Sequence, residues 1–158
     1  MDRLSSTDLA TNNILPYIAI EKPWTMTKGH CHCGQTEWDV DLVDANTVLC
    51  HCDACKMLSG GGFTLNQILP KKNFKLTKGN LSTYSYKGDS GKSVDCYYCP
   101  NCTSHAYHHQ EVMGDDIVVR TIFLEGGKDM KPAAEVYGKA RLGWVPEVAT
   151  TFETMPPS

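Results

Sequence analysis

The chain has 158 residues, of which 41% are hydrophobic and 21% charged; this fits one soluble globular domain with a modest core. A net charge of −3 and a pI near 6.0 provide no basic footprint for nucleic acid or anionic lipid. The sequence has no apolar run approaching the roughly 18 residues of a membrane span, and its start lacks the hydrophobic block of a secretion signal, so a cytoplasmic protein with no membrane partner is expected.

In chain order, residues 1–22 have few periodic apolar positions, and Lys22-Pro23 reads as a boundary. The expected organisation is an N-terminal extension over 1–22, a domain over 23–150 and a C-terminal tail over 151–158. Beyond Thr25, apolar and polar residues alternate in 36–42 (TEWDVDL), 62–69 (GFTLNQIL), 73–79 (NFKLTKG), 81–88 (LSTYSYKG), 92–98 (KSVDCYY) and 117–124 (IVVRTIFL), a pattern that predicts short strands. Turn signals separate them at Gly60-Gly61-Gly62, Pro70-Lys71-Lys72, Gly79-Asn80 and Gly88-Asp89. No long stretch has a 3.6-residue apolar period. The fold class is mainly β, with the cysteines on loops.

Eight cysteines in a chain expected to meet a reducing compartment point to metal rather than to disulfides. They fall into three groups: Cys31 and Cys33; Cys50, Cys52 and Cys55; Cys96, Cys99 and Cys102. Zinc takes about four soft ligands at tetrahedral geometry, so eight thiols suggest two sites. Pro100 and Asn101 make a small-residue turn between Cys99 and Cys102, as a metal knuckle requires, whereas Tyr97 and Tyr98 between Cys96 and Cys99 suit a strand. Cys31 and Cys33 therefore join Cys99 and Cys102 in a closed four-thiolate site. Cys50, Cys52 and Cys55 form a second site with one open position, the usual mark of a catalytic zinc. Cys96 is left as a buried strand residue or a spare ligand. An iron–sulfur cluster uses the same ligand type, but this spacing matches neither common ferredoxin pattern. A redox dithiol at Cys99 and Cys102 would want a βαβ setting.

The stretches "KGHCHCGQTEWDV", "LCHCDACKMLSGGGF", "CPNC" and "EVYGKARLGWVP" resemble the glutathione-dependent formaldehyde-activating enzyme family, which includes centromere protein V. The resemblance runs from about Thr25 to Val148. It implies an Mss4-like fold of antiparallel sheets stapled by zinc, with two zinc ions per chain. Carried over by motif, the structural ligands are Cys31, Cys33, Cys99 and Cys102, and the catalytic ligands Cys50, Cys52 and Cys55. The activity it implies is that of a carbon–sulfur lyase handling a glutathione adduct of formaldehyde. Two departures bear on substrate and geometry: the family's basic pair after the last catalytic-site cysteine is Lys56-Met57 here, and the glycine common after the second knuckle cysteine is Thr103, at a place where glycine would tolerate positive φ.

Three thiolates on divalent zinc leave a net charge of about −1, which makes the ion a weak activator of water. Binding an external thiol as thiolate suits such a centre better. Proton transfer candidates are His51, His105, His108 and His109; in an unbroken alternating strand His105 and His109 share one face and His108 takes the other. The glycines of 59–63 (SGGGF) can form a pocket wall or a plain turn. Lys56, Lys87, Lys92, Arg120 and Arg141 are mostly solvated charges, any of which can meet glutathione's carboxylates. Trp38 and Trp144 are expected in the core. Two further readings remain: an enzyme of a specialised pathway acting on another small molecule as lyase, dehydratase or isomerase, and a non-catalytic zinc-stapled binding module, against which the absence of a basic block counts.

Overall fold

A computed structural model describes residues 26–157; the extension expected over 1–22 lies outside the described residues. Among the described residues, eleven strands form two sheets. The smaller is antiparallel, in the order β1-β2-β5, from β1 (Thr27–His30), β2 (Glu37–Val40) and β5 (Phe74–Lys78). The larger has eight strands in the order β11-β10-β3-β4-β9-β8-β7-β6. Its members are β3 (Asn46–Cys50), β4 (Thr64–Pro70), β6 (Ser82–Lys87), β7 (Ser93–Tyr98), β8 (His105–Gln110), β9 (Asp116–Arg120), β10 (Lys131–Val136) and β11 (Thr150–Thr151). The mainly β class read from the sequence holds, and the sheets are antiparallel except that β10 runs parallel to both β3 and β11.

The six stretches of alternating residues became β2, β4, β5, β6, β7 and β9, the last ending at Arg120 where a 3-10 turn over Thr121–Phe123 begins. Among the described residues one α-helix occurs, α1 (Asp53–Ser59), where the sequence suggested a loop. Cys52 caps its start, with the sulfur accepting from Cys55 N at 3.3 Å; Asp53 lies in the first turn, and Gly60 closes the helix at φ 66. No helix of the described residues is long and apolar enough to cross a membrane.

Residues paired across antiparallel strands share a face. Leu69, Ile117, Val119 and Tyr107 share one face of the large sheet, and with Trp38, Val40 and Leu124 they form the main core. Phe74 of the small sheet stacks on Trp38 and tilts against Tyr107, which docks the two sheets together. Trp38 is fully buried, and its indole lies so close to Gly29 that any added Cβ would strike it. Trp144 corrects the core expectation. It is 77% exposed, with its ring edge near Gly62.

The opposite face of the large sheet is polar. Cys50 pairs with Thr64, Asn66 with Arg120, Val118 with His108 and His108 with Cys96, so these side chains form a row from β3 to β7. The segment read as a tail from residue 151 continues along the sheet edge, with Phe152 N donating to Glu135 O and Tyr137 N to Thr154 O.

Candidate metal centres

The first cysteine cluster joins the turn after β1 to the turn between β7 and β8. The sulfurs of Cys31, Cys33, Cys99 and Cys102 all lie within 4.8 Å of one another, at 3.5 Å for Cys31 to Cys33 and 3.8 Å for Cys33 to Cys99. Tetrahedral zinc with Zn–S bonds of about 2.3 Å requires sulfurs about 3.8 Å apart, so the four residues fit such an ion. Thr36 N donates to Cys31 Sγ at 3.2 Å. Ser104 Oγ, 3.3 Å from Cys102 Sγ, is the largest cause holding that thiol down at about 5. Thr103 adopts φ 61, the left-handed conformation that a knuckle glycine would take without strain.

The second cluster sits where β3 passes into α1. Cys50 ends the strand, Cys52 caps the helix and Cys55 occupies its first turn, which brings the three sulfurs within 4.8 Å of one another. They supply three soft donors, a set that suits a thiophilic metal with a further position open. Hydrogen bonds from Cys50 and Cys52 push the Cys55 thiol down, and the charge of Arg120 acts in the same direction. Cys50, which donates to its two neighbours and is buried, is pushed up.

Arg120, one of five charges that the sequence suggests are mostly solvated, is only 4% exposed. Both terminal guanidinium nitrogens point at Cys55 Sγ, at 3.7 and 3.8 Å, and Nη1 also donates to Asn66 Oδ1. Asn66 is fixed in turn by bonds from its amide to Val48 O, Thr64 O and Thr64 Oγ1. A buried charge requires such partners. Sequence reasoning missed Asn66 and Thr64 because neither forms part of a motif.

The histidines separate. His51 is fully buried, and its Nε2 lies 2.7 Å from Glu135 Oε2. Glu135, also fully buried, accepts in addition from Arg141 Nε and Nη2 and from the backbone N–H groups of Val148 and Ala149. His51 and Arg141 are thus committed to a buried ionic hub, and Lys56 to Ala140 O and Asp53. His109 Nε2 bonds Gly114 O near the surface. The expected facing of the strand histidines is corrected: Tyr97 pairs with Tyr107 but Tyr98 with His105. The extra residue, Ala106, is a β-bulge that re-aims the side chain before it. His105 therefore shares the polar face with His108, and their rings meet edge to face at 5.7 Å. Burial, then the Arg120 charge, holds His105 down to about 4 and His108 to about 3.

A cleft of about 360 Å³ opens beside this row, lined by Leu58, Phe63, Ile122, His105 and Cys102 of the four-cysteine cluster among others, together with Thr64 and with Arg120, whose guanidinium contacts Cys55. Cys96 joins neither cluster. It lies buried in β7, with its thiol pushed up to about 11 by burial. All eight cysteines are free.

Fold and site define a class: a mainly β domain with two cysteine clusters able to hold metal ions. Residues 26–140 match the sequence profile of the glutathione-dependent formaldehyde-activating enzyme family, and the chain belongs to that family. It is similar to a crystal structure of a Rhodobacter sphaeroides structural-genomics protein, with 23% identity and a TM-score of 0.54 over 67% of this chain and 99% of that one; the likeness concerns the fold alone. No curated protein matches the chain.

Proposed function

We propose that the protein is a zinc-dependent carbon–sulfur lyase of the formaldehyde-activating type. It holds a structural zinc on Cys31, Cys33, Cys99 and Cys102 and a second zinc, with an open position, on Cys50, Cys52 and Cys55. It handles a glutathione adduct of formaldehyde or of another small electrophile in a reducing cytoplasm. The observation that carries this reading is the contrast between the clusters. Cys31 and Cys99 are embedded in the main core, whereas Cys50 and Cys55 belong to a separate small cluster with Val136; the cleft touches Cys102 of the first cluster and reaches the second through Arg120, whose guanidinium contacts Cys55.

Zinc bound by three thiolates supplies affinity for an incoming thiol in its thiolate form near neutral pH. Arg120 places a positive charge beside the three sulfurs and offsets part of their negative charge. Asn66 keeps that guanidinium in place. Helix α1 holds Cys52 and Cys55 at a fixed separation through the Cys55 N–H bond to Cys52 Sγ.

Elemental analysis of the purified protein, followed by calorimetry with glutathione and assay with formaldehyde, tests the reading. Two zinc ions per chain, glutathione binding and adduct turnover are expected. A single zinc per chain would overturn the open-site reading and favour the binding module.

A further inference from the structure

The cleft is far larger than formaldehyde. Formaldehyde has two heavy atoms and needs about the space of one or two waters, each about 30 Å³. The cleft of about 360 Å³ lies instead at the lower end of cavities that enclose whole organic ligands. Its walls are largely apolar, from Leu58, Phe63, Leu65, Ile122 and Phe123. The cleft does not suit glutathione's two carboxylates either, because the cation that lines it, Arg120, is engaged with Asn66 and Cys55.

One polar group is held there without a partner. His105 lines the cleft, and its Nε2 is buried with no hydrogen bond, although buried polar atoms are almost always paired. The bulge at Ala106 is what turns this ring onto the polar face.

We propose that the cleft binds the electrophile: an aldehyde whose carbonyl carbon carries an apolar substituent of about phenyl size, with its oxygen hydrogen-bonded to His105 Nε2 once the imidazole tilts to bring that buried nitrogen to the cleft surface. The inference rests on the lyase reading for the chemistry of the occupant, and on the lining and His105 for its shape. A neutral imidazole serves both states of such a ligand: with its proton on Nε2 it donates to the carbonyl oxygen, and without it Nε2 accepts from the hydroxyl of the thiol adduct. The substituent lies against the apolar wall while the carbonyl carbon faces the Thr64–Arg120 end, which the Arg120 side chain separates from Cys55.

Benzyl alcohol, an unreactive stand-in, tests the site without turnover. Added to zinc-loaded protein with isotope-labelled histidine, it is expected to shift the His105 ring signals saturably, while methanol at the same concentration does not. His105→Leu is expected to weaken binding about three- to tenfold, the worth of one hydrogen bond, and His105→Gln to restore it. Ile122→Trp, at a half-exposed rim position, is expected to fill the cleft and abolish binding with zinc content unchanged. In assays with glutathione, benzaldehyde is expected to exceed formaldehyde in kcat/KM by more than about tenfold. Failure of benzyl alcohol to bind, or binding indifferent to His105→Leu and Ile122→Trp, would overturn the proposal even in an active enzyme. Binding as described with no adduct formed from any aldehyde would support the cleft assignment and refute the lyase reading instead.

Discussion

Glu135→Gln measures how much the domain depends on the buried hub behind the three-cysteine cluster. The carboxylate is 0% exposed and accepts from His51 Nε2, from Arg141 Nε and Nη2, and from the N–H groups of Val148 and Ala149. Glutamine is nearly isosteric but replaces one acceptor oxygen with a donor NH2. If the amide nitrogen faces Val148 and Ala149, two backbone donors lose their acceptor. If it faces the other way, His51 and Arg141 lose theirs, and the arginine keeps Glu147 at 3.7 Å as its carboxylate partner. Each unsatisfied buried donor costs about 1–3 kcal/mol, and breaking a buried ion pair about 3–5 kcal/mol. A loss of about 3–5 kcal/mol follows, a large part of a typical domain's stability. At about 2–4 °C per kcal/mol for a chain of this length, Tm should fall by roughly 6–20 °C in thermal melts with saturating zinc. Glu37→Gln is the control, because the Glu37–Lys78 pair is about half exposed and should contribute less than about 1 kcal/mol. Equal effects of the two substitutions would refute the reasoning.

Three further outcomes are expected. Cys99→Ser should prevent folding, because structural zinc contributes folding energy directly, whereas Cys52→Ser should leave a folded chain lacking one zinc and all turnover; circular dichroism and metal analysis decide, and equal unfolding of both would refute the division. Thr103→Gly should raise stability by about 1 kcal/mol and Tm by about 2–4 °C through relief of the φ 61 conformation, while Thr103→Ala, which keeps the Cβ, should gain nothing; an equal gain from alanine would remove backbone strain as the cause. Stability should also fall as pH drops from about 6.5 towards 4, since the unfolded chain protonates His105 and His108 in that range whereas the folded chain holds them neutral to about 4 and about 3. The slope is at most about 1.4 kcal/mol per pH unit for each ring. His108→Gln should flatten it in denaturant titrations, and an unchanged slope would refute the linkage. Below about pH 4.5 Glu135 adds a second limb: burial alone would raise its carboxyl, but bonds from Val148 N, His51 and Ala149 N, with the Arg141 charge, hold it below the usual range, so its contribution is lost as it protonates.

The sequence reveals some of this and hides the rest for a physical reason. Cysteine spacing is local information: Pro100 and Asn101 make the knuckle that brings Cys99 and Cys102 to one point, and strand alternation gives the β class. The partners that tune the site are remote. Arg120 lies 65 residues from Cys55, and Glu135 lies 84 from His51; only the sheet order β10-β3-β4-β9 brings them together. A period-2 reading marks a residue as facing in or out, but the same pattern does not show whether the face it joins is core or site. Arg120 was legible as a strand residue and illegible as the counter-charge to a thiolate.

The His105 result makes this point about register specific. A strand period of two holds only while pairing is unbroken, and one bulged residue reverses the facing of everything beyond it. Without the bulge at Ala106, His105 would share a face with Tyr107, whose ring packs into the main core against Phe74 and Tyr97, and an imidazole there would have no polar neighbour. With it, the core keeps its apolar register through Tyr107, Val119 and Ile117, while His105 turns to the face that carries Arg120 and the three-cysteine cluster. The irregularity therefore sits at the one place on β8 where core packing and site chemistry place opposite demands on adjacent residues, and the sheet meets both by inserting a single alanine.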